Sequence, residues 1–389
     1  MTTIWYFPLE IVKARYTEQL CKSWIPNSIE RSKKSDQQLK VIEGENVSHD
    51  IKVGAVLDAT GRGHYSLSQC NNFLKEIEKG NVKTGDIIYV QDFWTPGLGA
   101  IQYALDLYDI KDIKMYSMLH AQSVDEYDFT YPMREWMRPM ELGYDKMHKN
   151  GGIFVGSTIH KEQLRKAGFT SKIHVVSLPL GMEEIMKRIK NFPINTENAI
   201  VYSSRFDWEK NPEFMLQLAE EFLTKHHDWK FYVTTSGKKI RSNTPGVVDK
   251  MYALAKKTNR FIIKENISKD EYYFILCKAK IQLNTSLQDY VSWTLLEASC
   301  CGCDIVYPNF RSFPECVPDN RRYKPFMIDS AMDVIEDCID NPRMHLDIPE
   351  TSDLGRLVEG YIICNDTKKE VNVWNNKDKK EWKEVLKYG

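Results

Sequence analysis

The sequence has almost no net charge. Its 53 Lys and Arg residues face 54 Asp and Glu, a formal balance of −1. With no global field there is no chain-wide attraction to nucleic acid or to an anionic membrane, so only a local patch can supply one. Apolar runs of about 18 residues, the length a membrane span needs, are missing as well. The short run from Ile4 to Leu9 lacks the basic flank and small-residue cleavage site of a secretory signal. These absences lead to the expectation of a soluble, cytoplasmic chain. Cysteine is present, nine in all, but Cys300, Cys301, Cys303 and Cys316 lack the two separated pairs of a structural zinc site. They read as small buried thiols of a reducing compartment.

What is present is an ordinary globular composition, 42% hydrophobic and 28% charged, which excludes a disordered or collagen-like chain. At roughly 150 residues per domain, 389 residues suggest two or three domains. Short apolar runs alternate with longer amphipathic ones. The expected strands of the first half are 4–7, 53–57, 87–90, 113–119, 153–155 and 173–177. The expected helices are 66–79, 98–107, 133–149 and 159–167. Most strand runs are continuously apolar, as in a parallel sheet buried on both faces. The rhythm restarts with strands at 199–202, 231–234, 261–263, 281–283 and 304–307 and helices at 213–224, 247–257, 269–278, 292–300 and 331–339. This is an α/β class pattern of two Rossmann-like domains, 1–190 and 191–370, facing a cleft. The stretch from Lys190 to Asn195 serves as linker, and 371–389 is a charged tail expected to return to the first domain.

Ligands of open α/β sheets sit beyond the carboxyl ends of the strands. After the strand at 199–202 comes Ser203-Ser204-Arg205-Phe206-Asp207-Trp208-Glu209-Lys210-Asn211-Pro212. Arg205 and Lys210 precede a helix start, where Asn211 can cap and Pro212 take the first position; two cations and a helix N-terminus suit a diphosphate. The plain alternative is a solvated loop with a routine cap. After the strand at 281–283, Asp289 lies just before a helix and Glu297 two turns inside it. The N–H groups of Val291, Ser292 and Trp293 would point out of the helix start toward a phosphate or sugar hydroxyls. Glu297 stands among Leu295, Leu296 and Ala298 and needs a hydroxyl or cationic partner. The alternative reading gives Asp289 a capping role and Glu297 a structural cation.

Together these stretches resemble the donor domain of GT-B glycosyltransferases, most similar to the retaining family-four type. That family carries a strand-end Arg followed by Lys-Asn, matched by Arg205 and Lys210-Asn211. It also carries E-G-F-G-x-x-x-x-E-A-x-x-x-G-x-P-V; here the stretch reads Asp289-Tyr290-Val291-Ser292, then Glu297-Ala298, then Gly302, then Ile305-Val306, and the second Glu matches at Glu297. Asp289 replaces the first Glu, and the early glycines are absent. The resemblance implies that Arg205 and Lys210 bind the diphosphate of a nucleotide-sugar co-substrate, that Glu297 holds the ribose, and that Asp289 contacts the transferred sugar. It implies retention of anomeric configuration. The chain has no Asp-x-Asp, the pair that holds a metal in the GT-A class, which favours a metal-independent site and no further cofactor.

In the first domain the resemblance is weaker. His120 matches a histidine that contacts the donor sugar in related enzymes. His64, after Asp58-Ala59-Thr60-Gly61-Arg62-Gly63, and Asp92, Phe93 and Trp94 lie where an acceptor would sit. Asp92 can accept a hydroxyl proton and Trp94 can stack on a ring. Basic clusters occur at 31–34, 238–241 and 321–324, and Arg134 and Arg138 flank Trp136. The opening Trp5-Tyr6-Phe7-Pro8-Leu9-Glu10, with Arg15-Tyr16-Thr17 and Asp92-Phe93-Trp94, resembles glycosyltransferase-like proteins of large tailed bacteriophages. That likeness implies a hydroxymethylated pyrimidine in double-stranded phage DNA as acceptor and host cytoplasm as location, and such an enzyme must flip its base. The rivals are transfer to a cell-envelope glycan or small molecule, a nucleotide-sugar 2-epimerase, and a non-catalytic nucleotide-sugar binder.

Overall fold

The computed structural model describes residues 1–11, 16–46, 61–120, 123–128, 130–235, 239–342 and 362–363. The chain divides into two compact units, with the break in this part of the chain between Pro179 and Leu180. The expected strand at 53–57 and the tail at 371–389 lie outside the described residues.

The N-terminal unit is built on six strands, β1 (Thr2–Phe7), β2 (Gln37–Val41), β3 (Ile87–Val90), β4 (Lys114–Met118), β5 (Gly152–Val155) and β6 (Ile173–Val175). They form one sheet in the order β2-β1-β3-β4-β5-β6, and every pairing is parallel. Its helices are α1 (Tyr16–Gln19), α2 (Ile25–Ser32), α3 (Arg62–Glu78), α4 (Leu98–Leu107), α5 (Arg134–Met147) and α6 (Thr158–Lys166). All four residues of β3 and all four of β5 are buried, as continuous apolar runs between helix layers must be. Gly97 starts α4 at φ 101°, where a Cβ would come within 2.9 Å of Cys70 Sγ.

The C-terminal unit repeats the plan with β7 (Ala199–Tyr202), β8 (Lys230–Thr234), β9 (Phe261–Lys264), β10 (Ile281–Leu283), β11 (Asp304–Pro308) and β12 (Arg322–Tyr323). The parallel order is β12-β11-β10-β7-β8-β9. Its helices are α7 (Met182–Ile189), α8 (Pro212–Lys225), α9 (Val247–Lys257), α10 (Lys269–Lys278), α11 (Trp293–Cys300), α12 (Phe313–Cys316) and α13 (Ile328–Asp340). The core joins Ile200, Tyr202, Leu218, Phe222, Phe231, Leu283 and Ile335. β7 and β10 are the two central strands, so the loops after them, 203–211 and 284–292, emerge side by side.

Two expectations change. α3 begins at Arg62, four residues before the expected start, so His64 belongs to a helical turn. Asn211 occupies the position before α8 but at φ 50°, and its side chain makes no capping bond; Pro212 does take the first helical turn. None of the described helices is long and apolar enough to cross a membrane.

Candidate functional site

The loops after β7 and β10 are tied together by Lys210. Its ammonium donates to Ser286 Oγ at 3.1 Å, to the Gln288 carbonyl at 2.7 Å and to Asp289 Oδ1 at 2.8 Å. An ammonium has three protons, so all are engaged. The Lys210 carbonyl is held in turn by Thr285 Oγ1 at 2.6 Å and by the Tyr202 hydroxyl at 3.1 Å. Only 7% of the Lys210 side chain is exposed, against 42% for Arg205. Arg205 donates from Nη2 to Glu209 Oε1 at 2.6 Å and approaches Asp207 with Nη1 at 3.6 Å. Asp207 and Glu209 are both buried, so two carboxylates anchor the terminal nitrogens of a guanidinium that remains partly exposed. Arg205 is thus the cation of this pair that a diphosphate can reach directly.

Glu297 is buried on α11. Its Oε1 accepts from Lys269 Nζ at 2.6 Å and from the Tyr273 hydroxyl at 3.0 Å. The structural cation is therefore a lysine on α10. At the start of α11 Ser292 occupies the cap position, but its hydroxyl pairs with Thr294 Oγ1 at 2.7 Å and lies 3.4 Å from Asn284 Nδ2. The Ser292 side chain makes no capping bond at this helix start, which carries Val291 and Trp293 on either side of it. Asp289, Val291 and Ser292 lie on the loop that Lys210 braces, and Ser312 Oγ donates to the Asp289 carbonyl at 2.9 Å.

In the N-terminal unit the structure brings together Asp92, Arg62 and His120. Arg62 Nη2 donates to Asp92 Oδ2 at 2.5 Å, and the Trp94 amide donates to Asp92 Oδ1 at 3.0 Å. Both Asp92 oxygens are engaged, so Asp92 is an ion-paired carboxylate in this state. His120 Nε2 lies 3.2 Å from the Gln91 carbonyl. Burial pulls its imidazole below the usual range, with Asp92 opposing and Arg62 reinforcing the shift. His64 is exposed at the start of α3, 3.3 Å from Glu45. Trp94 is only 3% exposed and packs edge-on against Trp136 and Tyr144, so its faces belong to the core rather than to a stacked ligand. Its indole N–H is buried without a partner.

Among the basic clusters, Arg321 is fully buried and paired with Asp304 and Asp337, so it braces β11 against α13 and faces no ligand. Lys238 lies outside the described residues. Sequence reasoning missed Lys269, Tyr273, Ser286 and Arg62. One signal for Lys269 was available. Ser268 and Glu271 form a capping box, which fixes the start of α10 and puts Lys269 and Tyr273 one turn apart on one face.

Residues 184–352, all within the C-terminal unit, match the family model described as glycosyl transferases group 1. No curated protein sequence matches the chain. Solved structures similar to it include a sucrose-phosphate synthase from Thermosynechococcus elongatus, with TM-score 0.62 and 12% identity over 93% of this chain and 95% of that one. A trehalose-6-phosphate structure from E. coli bound with UDP-2-fluoro glucose gives TM-score 0.58 and 11% identity over 94% and 96%. A glycosyltransferase from Rickettsia africae gives TM-score 0.54 and 14% identity over 100% and 99%. The chain thus has the GT-B architecture, and its C-terminal unit is similar to the group 1 glycosyl transferase family over residues 184–352.

Proposed function

We propose that this protein transfers a sugar from a nucleoside diphosphate sugar to a hydroxyl acceptor, with retention of configuration. The observation that carries the reading is the presence in one domain of an accessible, anchored Arg205 and a buried, charge-compensated Glu297. Charge grows on the diphosphate as the glycosidic bond breaks, and a preorganised guanidinium stabilises it without reorganising. Lys210 acts through the loop it braces, setting the place of Asp289 and of the α11 start. Glu297 accepts from ribose hydroxyls. Asp289 would meet the sugar when its Lys210 partner is shared. The N-terminal unit would hold the acceptor near Asp92, His120 and His64.

For the acceptor we favour a hydroxymethylated pyrimidine in phage DNA. One surface feature of the N-terminal unit supports a polyanionic partner: Trp136 is 52% exposed on α5, with Arg134 lying over Tyr131 at 4.4 Å nearby at the same helix start. The test incubates the protein with a nucleotide-sugar panel and with plain or hydroxymethylated DNA, reading nucleosides by mass spectrometry. Glycosylated hydroxymethylpyrimidine is expected. Transfer to a glycan alone would overturn the acceptor assignment, and epimerised donor without transfer would overturn the reaction class.

A further inference from the structure

Glu297 is a carboxylate sunk into an otherwise apolar helix face, 3% exposed, and a buried charge there requires a counter-charge. Lys269 supplies it from an unexpected place. It is the first residue of α10, held there by the Ser268–Glu271 capping box. A cation at a helix N-terminus opposes the helix dipole, so the stability of α10 does not account for it. Its ammonium lies 4.9 Å from the Tyr272 ring and 5.3 Å from the Tyr273 ring, and ends 2.6 Å from Glu297 Oε1. Tyr273, one turn along the same face, gives its hydroxyl to the same oxygen at 3.0 Å. Tyr272 reaches back to Ser203, which follows β7, with 3.3 Å between the two hydroxyl oxygens. Among the described residues nothing donates to Glu297 Oε2.

We infer that Lys269 and Tyr273 are positioning residues that clamp Glu297 through Oε1 and present Oε2 to the vicinal hydroxyls of a ribose. Selection of ribonucleotides over 2′-deoxyribonucleotides then resides in the Lys269–Glu297 pair. This rests on the donor reading given above. Pinning one oxygen stops the carboxylate rotating, and the other offers two lone pairs to two adjacent O–H donors. A deoxy ligand leaves part of that buried acceptor unmatched, which a site built for hydroxyls penalises strongly.

The test is calorimetric titration of the full chain with UDP, GDP and ADP and with their 2′-deoxy counterparts. The native protein is expected to prefer the ribo form of its nucleotide by about tenfold or more. Lys269→Met is expected to bring ribo affinity down to near the deoxy level while deoxy affinity changes less than about threefold. Lys269→Arg should restore most of the preference, and Tyr273→Phe, a milder change that keeps the ion pair, should lower it in part. A Lys269→Met protein with the native ratio would overturn the inference, as would equal loss of both forms. Native protein that binds a nucleotide without ribo preference overturns the clamp and leaves the donor reading standing. Native protein that binds none of the panel overturns the donor reading itself.

Discussion

The ammonium of Lys210 sits 2.8 Å from the carboxylate of Asp289, across 79 positions of sequence. Residues that family resemblance assigns separately, one to the diphosphate and one to the sugar, therefore bind each other and lock the loop after β7 to the loop after β10. Lys210 is 7% exposed and Asp289 23%, so the pair is shielded on one side. Removing one member strands the other: Lys210→Met should cost about 2–3 kcal/mol in urea denaturation. Combined with Asp289→Asn, the loss should fall short of the sum by about 1–3 kcal/mol. Additive losses would mean that the two side chains do not sense each other.

In the proposed reaction Arg205 carries the direct electrostatic work on the leaving group. Arg205→Ala should lower donor-dependent turnover by about 100-fold or more, with the far-ultraviolet dichroism unchanged. Arg205→Lys should recover little, because the fork that grips Glu209 is lost. Near-native rates in either variant would remove Arg205 from the site.

Trp94 separates a core role from a ligand-stacking role. Its ring is wedged against Trp136 and Tyr144, and its indole N–H has no partner. Trp94→Ala should destabilise by about 3–5 kcal/mol, whereas Trp94→Phe should cost less than about 1.5 kcal/mol. Acceptor KM should be unchanged in Trp94→Phe. A several-fold rise in KM with native stability would restore the stacking assignment.

Four histidines of the N-terminal unit, His120 among them, make it acid-sensitive. Burial holds His148 and His174 down to about 4 and His160 down to about 3, against an ordinary 6.5. His148 is fixed neutral: its Nδ1 faces the Tyr144 carbonyl at 2.7 Å, and its Nε2 takes the Ser117 hydroxyl at 2.6 Å. The unfolded chain takes up protons first as pH falls. The contribution to stability is complete above pH 6.5 and is lost progressively down to pH 3–4. Urea midpoints measured across that window should fall with acidification, and His148→Asn should flatten the slope. A pH-independent midpoint would contradict the burial of these rings.

Much of the fold was legible because its strands are buried on both faces. The apolar runs at 87–90, 199–202 and 281–283 coincide with β3, β7 and β10. β2 escaped because Gln37–Val41 is a half-buried edge strand of mixed polarity, with no apolar run to mark it. β12 is only two residues long, and α7 begins just after a Pro-Leu-Gly stretch that reads as turn. The candidate site was legible only as residue types at family spacing, Arg205, Lys210, Asp289 and Glu297. Their partners were not, since pairing across 79 positions for Lys210–Asp289 and 28 for Lys269–Glu297 follows from strand order rather than from local pattern. The aromatics after β3 misled for the same reason, because stacking residues and core residues look alike until packing is known.

In the proposed reaction the C-terminal unit holds a nucleoside diphosphate sugar on Arg205 and Glu297. The most direct test is donor titration of the full chain by calorimetry, with UDP-, GDP- and ADP-sugars, against native protein, Arg205→Ala and Glu297→Gln. Saturable binding of one donor class by the native protein is expected, with a loss of about tenfold or more in each variant. No binding to any donor, or equal binding by all three proteins, would contradict it.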